Sequence, residues 1–361
     1  MQVKTLDEIW KIVDSLDVVA YQKTRNHLDG TVSKLSPYIS RGVVTLPQVR
    51  ERVLRNSSAK DAEKFIQELA WREYFQRVWW VKGNAIFEDL RFPRNDWRHY
   101  DLVSALVAGK TGVETIDESI QSLYETGYMH NHARLWVASL ATNLARAEWY
   151  TMGRWLYAHL ADGDLASNFL SWQWVAGTSV SKPYTVDQSL INSWSTKKQP
   201  YSILNFRREA MLETPCPEVL LGSESFALTM EYGTNETVRS VAGEVVALYT
   251  PWTLNPNTAS AATRHILIFD PVWFDEFPVS VAVRDFIIAE GQAVIPTLEV
   301  WYGSAEDIPG YGEAVRLTAI AHPTNQVWPQ VTFIEPDWLF PQVRGYFPSF
   351  FAYWQEASRY C

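Results

Sequence analysis

A chain of 361 residues exceeds what one ordinary hydrophobic core supports and predicts two domains. Its two cysteines, Cys216 and Cys361, exclude a disulfide framework and fit a reducing cytoplasm, and neither the charged N-terminal stretch nor any apolar run suits secretion or membrane insertion. The net charge of -9 disfavours a polyanionic partner overall, but residues 1–215 hold 26 Lys and Arg against 24 Asp and Glu while residues 216–361 hold 6 against 17, so only the first part suits nucleic acid.

Residues 5–20 read as a first helix and residues 46–55 as another. Between them, YQKTRNHLDGTVSKLSPYISRG mixes turn formers with hydroxyls, and Ser33, Ser36 and exposed backbone amides can hold a phosphate or merely close a structural loop. Residues 61–81 predict a long helix in which Glu68, Trp71, Arg72 and Phe75 share a face. An acid, an indole and a guanidinium are costly on a buried face unless they are used; the other reading is a solvated Glu68–Arg72 pair. Two further helices are expected over 99–108 and 113–126. AGKTG at 108–112 imitates a nucleotide phosphate loop, but Ser104 stands where that pattern requires glycine, and Gly109 is more simply a helix C-cap. His130 and His132 point to different sides of a helix with no cysteine or carboxylate at ligand spacing, which argues against a metal site.

The stretch 128–174 concentrates the informative residues. Asn131, Arg134, Leu135 and Ala138 share one helical face, which Ala141, Thr142 and Ala145 extend with small side chains that admit a cofactor or another helix. Asp162-Gly163-Asp164 reads as a glycine ending one helix and an aspartate capping the next. From there Asp164, Asn168 and Trp172 recur at i, i+4 and i+8, one stripe carrying a carboxylate, an amide and an indole; a carboxylate at that place can also be only a cap. Seventeen tryptophans exceed the needs of a core, although crowding alone does not show a function.

After Trp194 a polar, proline-containing connector leads to short apolar runs, EVLLG, FALTM, VVALYT, HILIFD, LEVWYG, RLTAIA and VTFIE, with helices expected at 279–290 and 345–358. Strands alternating with helices predict an open α/β sheet, and no glycine fingerprint for a dinucleotide accompanies it. The expected domains are 1–212 and 213–361.

Four motifs, in this order and spacing, carry a resemblance: SKLSPYISRG (33–42), ELAWREYF (68–75), GYMHNHAR (127–134) and DGDLASNFLSWQW (162–174). Together they resemble the all-helical FAD-binding domain of the photolyase/cryptochrome family over residues 15–195, in a short photolyase-like branch without the usual N-terminal antenna domain. The resemblance implies an α plus α/β fold, the photolyase-type helical domain followed by a smaller, Rossmann-like C-terminal α/β domain. It implies FAD held by Tyr21, Ser33, Lys34, Leu35, Ser36, Arg72, Arg134, Asp162, Asp164 and Asn168. Ser33 to Ser36 match the phosphate loop, with Val32 where the family has threonine, and Arg25 matches the basic residue after Tyr21. Arg134 pairs with the first of two acids at the ribose and the isoalloxazine edge, and Asn168 faces flavin N5. Trp172, Trp149 and Trp97 match the tryptophan chain that passes electrons to the flavin.

On the substrate side, Glu68, Trp71, Asn131, Leu135 and Trp174 match the cavity of cyclobutane-dimer photolyases, with Leu135 replacing a common methionine. The (6-4) enzymes place histidines at positions 131 and 135, and this chain has neither. The implied activity is light-driven splitting of cyclobutane pyrimidine dimers in DNA by an electron from reduced FAD, with single strands favoured because little positive charge is available to grip a duplex. The alternative is a cryptochrome-like blue-light receptor acting through a protein partner; retention of Glu68, Trp71 and Asn131 favours repair.

Overall fold

The computed structural model describes residues 2–258 and 261–361. Among them the helical first half runs α1 (Leu6–Asp14), α2 (Val18–Thr24), α3 (Ser36–Ser40), α4 (Leu46–Asn56), α5 (Ala59–Lys82), β1 (Leu102–Val103), α6 (Ser104–Val107), α7 (Glu114–Thr126), α8 (Asn131–Ser139), α9 (Trp149–His159), α10 (Leu165–Ala176) and α11 (Gln188–Trp194). The remainder runs β2 (Ser223–Glu224), β3 (Val245–Tyr249), β4 (Arg264–Phe269), α12 (Pro271–Phe274), α13 (Val281–Val294), β5 (Leu298–Tyr302), β6 (Arg316–Ile320), β7 (Val331–Ile334) and α14 (Phe350–Ala357). By contact the chain divides into two compact units, neither continuous in sequence: Met1–Val18 with Ser33–Tyr74 and Leu228–Cys361, and Val19–Val32 with Phe75–Ala227.

The first unit is built on a parallel sheet of order β5-β4-β3-β6-β7. Strands such as VVALY read as continuous apolar runs because a parallel sheet is covered on both faces, and Val246, Leu248, Ile266, Ile268, Leu317 and Ala319 form the core on one of them. The loop after β3 is backed by the chain itself: Leu254 N–H donates to the Arg41 carbonyl at 2.8 Å, and the buried Arg41 guanidinium reaches Pro251 O at 3.4 Å. Gly42, at φ +74°, fits there because a Cβ would meet Trp252 O at 2.6 Å. The buried acid of α5 in this unit is Glu73, fully enclosed, which accepts hydrogen bonds from Leu339 N–H, Phe340 N–H and the Tyr353 hydroxyl, so its desolvation is offset by three donors.

Five of the seven expected strands form. EVLLG instead makes a 3-10 turn at Glu218–Leu220, and FALTM has no regular structure. Each buries one apolar side chain, Leu220 and Met230, while neighbours such as Val219 and Leu221 are exposed, too few inward positions to line a strand. The helix expected over 5–20 breaks after Asp14, where the Ser15 hydroxyl bonds back to Ile12 O at 3.1 Å. That expected over 99–108 shrinks to α6 because Leu102–Val103 pairs with Ser223–Glu224.

The second unit is helical. The small stripe Ala138, Ala141, Thr142 and Ala145 is wholly buried, and α8 and the π-helical turn after it (Leu140–Leu144) pack on α9 and α10. Of the two occupants its small side chains admit, helices take the place. The turn ends at Arg146, whose φ of +57° redirects the chain so that Arg98 N–H bonds Arg146 O at 2.7 Å and Glu148 N–H bonds His99 O at 3.0 Å. No helix among the described residues is long and apolar enough to cross a membrane.

Candidate functional site

The second unit gathers its functional groups at the start of α10. Asp164 is the N-cap: its Oδ1 accepts from Ser167 N–H at 2.7 Å, and its Oδ2 accepts from Gln76 Nε2 at 2.6 Å. Two residues earlier, both Asp162 oxygens accept from Arg134 Nη2, at 3.0 and 2.9 Å, while Arg134 Nε donates to Met129 O at 2.9 Å. Each carboxylate is thus held by a side chain from elsewhere in the unit. Gly163 is not the helix-ending glycine that the sequence suggests, since α9 stops at Leu160 in an extended conformation. Glycine is needed because a Cβ at 163 would meet Leu160 O at 3.0 Å and the Tyr157 ring at 3.2 Å.

Along the stripe, Asn168 Nδ2 donates to Gly153 O at 2.9 Å; a carbonyl can only accept, so the amide orientation is fixed and Oδ1 is left as the acceptor. Gly153 lies where α9 meets α10: a Cβ there would approach Phe169 at 3.1 Å and Trp172 Cδ1 at 3.4 Å. Trp172 therefore rests on Gly153, one turn along α9 from Trp149. Both indoles are buried. Trp149 Nε1 donates to Asp89 Oδ1 at 2.7 Å, and Glu148, which caps α9 through Tyr150 and Thr151 N–H, has its carboxyl pushed up by burial. Trp97 is half-buried, next to the residues that bond to 146–148, and carries the Arg94 guanidinium 4.2 Å from its ring centroid. Of the three tryptophans expected to act together, Trp149 opens α9, Trp172 lies on α10 and Trp97 precedes β1.

The other expected site residues are placed as follows. Asn131 opens α8 as an exposed residue, Leu135 is half-buried one turn on, and Trp174 is 38 % exposed and stacked on Tyr184 with centroids 5.3 Å apart. His130 caps α8 through Nδ1, and burial lowers the neighbouring His132 to about 4. A cavity of about 310 Å3 opens beside Tyr128, Met129 and His130. Tyr21 is half-buried on α2. In the first unit, Lys34 takes a left-handed φ of +53°, so that Leu35 N–H turns back onto Ser33 Oγ at 3.4 Å and Ser36-Pro37 open α3. On α5, Glu68 pairs with Lys64 at 3.1 Å, Trp71 stacks on Phe350 at 3.6 Å and 10°, and Arg72 is half-buried.

Three contributors escape the sequence reading: Gln76, Gly153 and Asp89. Gln76 was within reach, since it continues the Glu68–Arg72 spacing by one more turn. Among the described residues no group of three His, Cys, Asp or Glu could hold a metal.

Residues 65–200 match the family described as the FAD binding domain of DNA photolyase. This segment is a photolyase-type FAD-binding domain. Within it lie Arg134, both aspartates, Asn168 and the three tryptophans. The deoxyribodipyrimidine photo-lyase of Streptomyces griseus is 36% identical over 161 residues, 44% of this chain and 35% of that protein. Cryptochrome DASH of Danio rerio is 32% identical over 176 residues, 45% of this chain and 33% of that protein. A bacterial class III photolyase from Agrobacterium tumefaciens superposes with a TM-score of 0.43 at 27% identity, covering 50% of this chain and 39% of that one. The chain therefore spans about a third of the length of the curated relatives it matches.

The cofactor of the photolyase-type domain is FAD, and the donor set fits it. Two oriented carboxylates and a fixed amide carbonyl offer acceptors to hydroxyl and ring N–H donors. The buried Ser167 hydroxyl beside Asp164 has no hydrogen-bond partner within the protein, a polar atom that a ligand can satisfy.

Proposed function

We propose that the chain is a deoxyribodipyrimidine photo-lyase that uses light to split cyclobutane pyrimidine dimers in DNA. The observation that carries this reading is the carboxylate pair Asp162 and Asp164, set by Arg134 and Gln76 at the head of a stripe that continues into Asn168 and Trp172. The photo-lyase relatives support it.

Bound FAD supplies light absorption and the transferred electron. For the protein's part, Asp162 accepts from the ribose and Asp164 from the isoalloxazine edge. Asn168, its Nδ2 committed to Gly153, offers Oδ1 to the ring N–H that only the reduced form carries at N5. Ser33, Lys34, Leu35 and Ser36 hold phosphate through backbone N–H groups, hydroxyls and an ammonium, and Tyr21 and Arg72 take the supporting positions the resemblance gives them. Trp172, Trp149 and Trp97 relay electrons from the surface.

The substrate is UV-damaged DNA with the dimer flipped out of the stack. Asn131 bonds a base carbonyl, Leu135 shapes the contact, and Trp174, held flat by Tyr184 and open on its other side, stacks on a base. Trp71, stacked on Phe350, matches the other indole of the dimer-photolyase cavity. The excess of acids over residues 216–361 favours single strands, which need less cationic grip. A blue-light receptor with a protein partner is the second reading, which the cryptochrome DASH relative supports.

Glu68 separates the two. A carboxylate that accepts from the imide N–H of a dimer contributes a charge-assisted hydrogen bond, worth roughly 1.5 to 3 kcal/mol. Glu68→Ala is expected to keep FAD while dimer affinity or repair yield falls about tenfold to a hundredfold. Repair at the parent's rate would reduce Glu68 to the helix-surface partner of Lys64.

A further inference from the structure

The surroundings of Trp149 and Trp97 are electrostatically opposite. Trp149 is buried, and its single polar atom, Nε1–H, donates to Asp89 Oδ1 at 2.7 Å, the length of a charge-assisted bond. Asp89 is itself fixed, its other oxygen accepting from Arg94 N–H at 3.2 Å. The Arg94 side chain then turns away to lie over Trp97, 4.2 Å from the ring centroid. Four hydrogen bonds hold it there: Nε and Nη2 to the Asp96 carboxylate, each 2.9 Å, and Nη1 to Asn143 Oδ1 at 2.9 Å and Ala176 O at 3.0 Å. One residue thus places its backbone on the acid that serves the inner indole and its cation on the outer one.

A cation over the face of a neutral indole is favourable, but the same cation opposes removal of an electron from that ring. A carboxylate at the indole N–H does the reverse: it stabilises positive charge on the ring and stands ready to receive the proton, because an indole that has lost an electron becomes a strong N–H acid. With Trp149 buried and Trp97 half-buried, these effects are least screened at the inner position.

We propose that Asp89 makes Trp149 the resting place of the oxidising equivalent, by taking its Nε1 proton, while Arg94 slows the next transfer from Trp97. The inference rests on the relay reading above. In that sequence the one-electron oxidant is the photoexcited oxidised flavin, which takes an electron from Trp172. Trp149 restores Trp172 by giving up one electron. The Nε1–H bond of the oxidised Trp149 then breaks heterolytically, the proton going to Asp89 Oδ1, which leaves a neutral tryptophanyl radical beside a neutral carboxyl group. The reverse proton and electron transfers return the ground state. Asp89 acts through Trp149 and has no contact with substrate to make.

Flash excitation of the FAD-loaded, oxidised protein tests this by transient absorption, which distinguishes the neutral tryptophanyl radical from its protonated form. The parent is expected to form the neutral radical with a solvent deuterium isotope effect on its appearance. Asp89→Asn, nearly isosteric, should hold the radical in the protonated form and shorten the charge-separated lifetime about tenfold to a hundredfold, the scale of one lost charge-assisted bond; Asp89→Glu should restore much of it. The indole N–H resonance of Trp149, read by NMR without illumination, should shift in Asp89→Asn. A neutral radical of unchanged lifetime and isotope effect in Asp89→Asn would overturn the proposal while leaving the relay intact. No tryptophan radical at all in the parent would overturn the relay and this inference together.

Discussion

Arg134→Ala is expected to yield a domain that no longer retains FAD and unfolds at markedly lower temperature. The Asp162 side chain is 6% exposed, and both its oxygens accept from one guanidinium nitrogen, itself on a side chain only 23% exposed. Removing one partner of an enclosed ion pair leaves the other charge desolvated without its counter-ion, at a cost of about 3 kcal/mol or more. For a unit of this size that corresponds to roughly 6 to 12 °C in the unfolding midpoint. The bond from Nε to Met129 O is lost as well, and with it the link between the start of α8 and the turn before α10. Differential scanning calorimetry and the flavin absorbance of the purified variant measure the two effects. The double variant Arg134→Ala, Asp162→Asn should regain part of the stability but not the flavin, because the stranded charge is gone while the acceptor for the ribose is not replaced. A double variant no more stable than the single one would show that the pair contributes packing rather than charge.

Trp172→Phe is expected to slow photoreduction of the oxidised flavin severely while leaving repair by chemically reduced protein close to the parent's. The two processes use different groups under this reading: reduced flavin gives its electron to the lesion without help from the tryptophans, whereas refilling an oxidised flavin needs an indole beside it. A phenyl ring is far harder to oxidise, and every 1.4 kcal/mol added to the barrier slows the step about tenfold. Phenylalanine still covers Gly153, so the fold should survive. Illumination of the oxidised variant with an external thiol, followed by its visible spectrum, gives the first rate, and a repair assay after dithionite reduction gives the second. Equal photoreduction would place the electron source elsewhere in the chain.

What could be read from the chain, and what could not, follows the range of the interactions. Asp164 as a helix cap, and the stripe from Asp164 through Asn168 to Trp172, depend on spacing within one helix, and α10 has that arrangement. The five strands of the sheet were visible as continuous apolar runs for the same reason. The partners were hidden. Gln76 reaches Asp164 across 88 positions and Asp89 reaches Trp149 across 60; the helical spacing puts Gln76 on the face of Glu68 and Arg72 but does not name its partner, and nothing local marks Asp89. Gly163 shows a subtler limit: the sequence marks the glycine, but the reason for it is the Tyr157 ring and not a left-handed φ, and only three-dimensional packing tells these apart. The change of composition after Trp194 suggests one cut near 212, whereas contact groups Leu228–Cys361 with Ser33–Tyr74. Contacts such as Glu73 with Leu339 and Tyr353, and Arg41 with Pro251 and Leu254, tie those distant segments together.

The most direct test of the central claim is to load the protein with FAD, reduce it chemically, and count dimers in an oligonucleotide containing one cyclobutane thymine dimer, under blue light and in darkness. The reading proposed here predicts that intact thymines reappear only in light, only with flavin present, and at least as fast in a single strand as in a duplex. Dimers that persist under illumination, in a protein whose flavin is bound and reduced, would contradict it and leave the photoreceptor reading in its place.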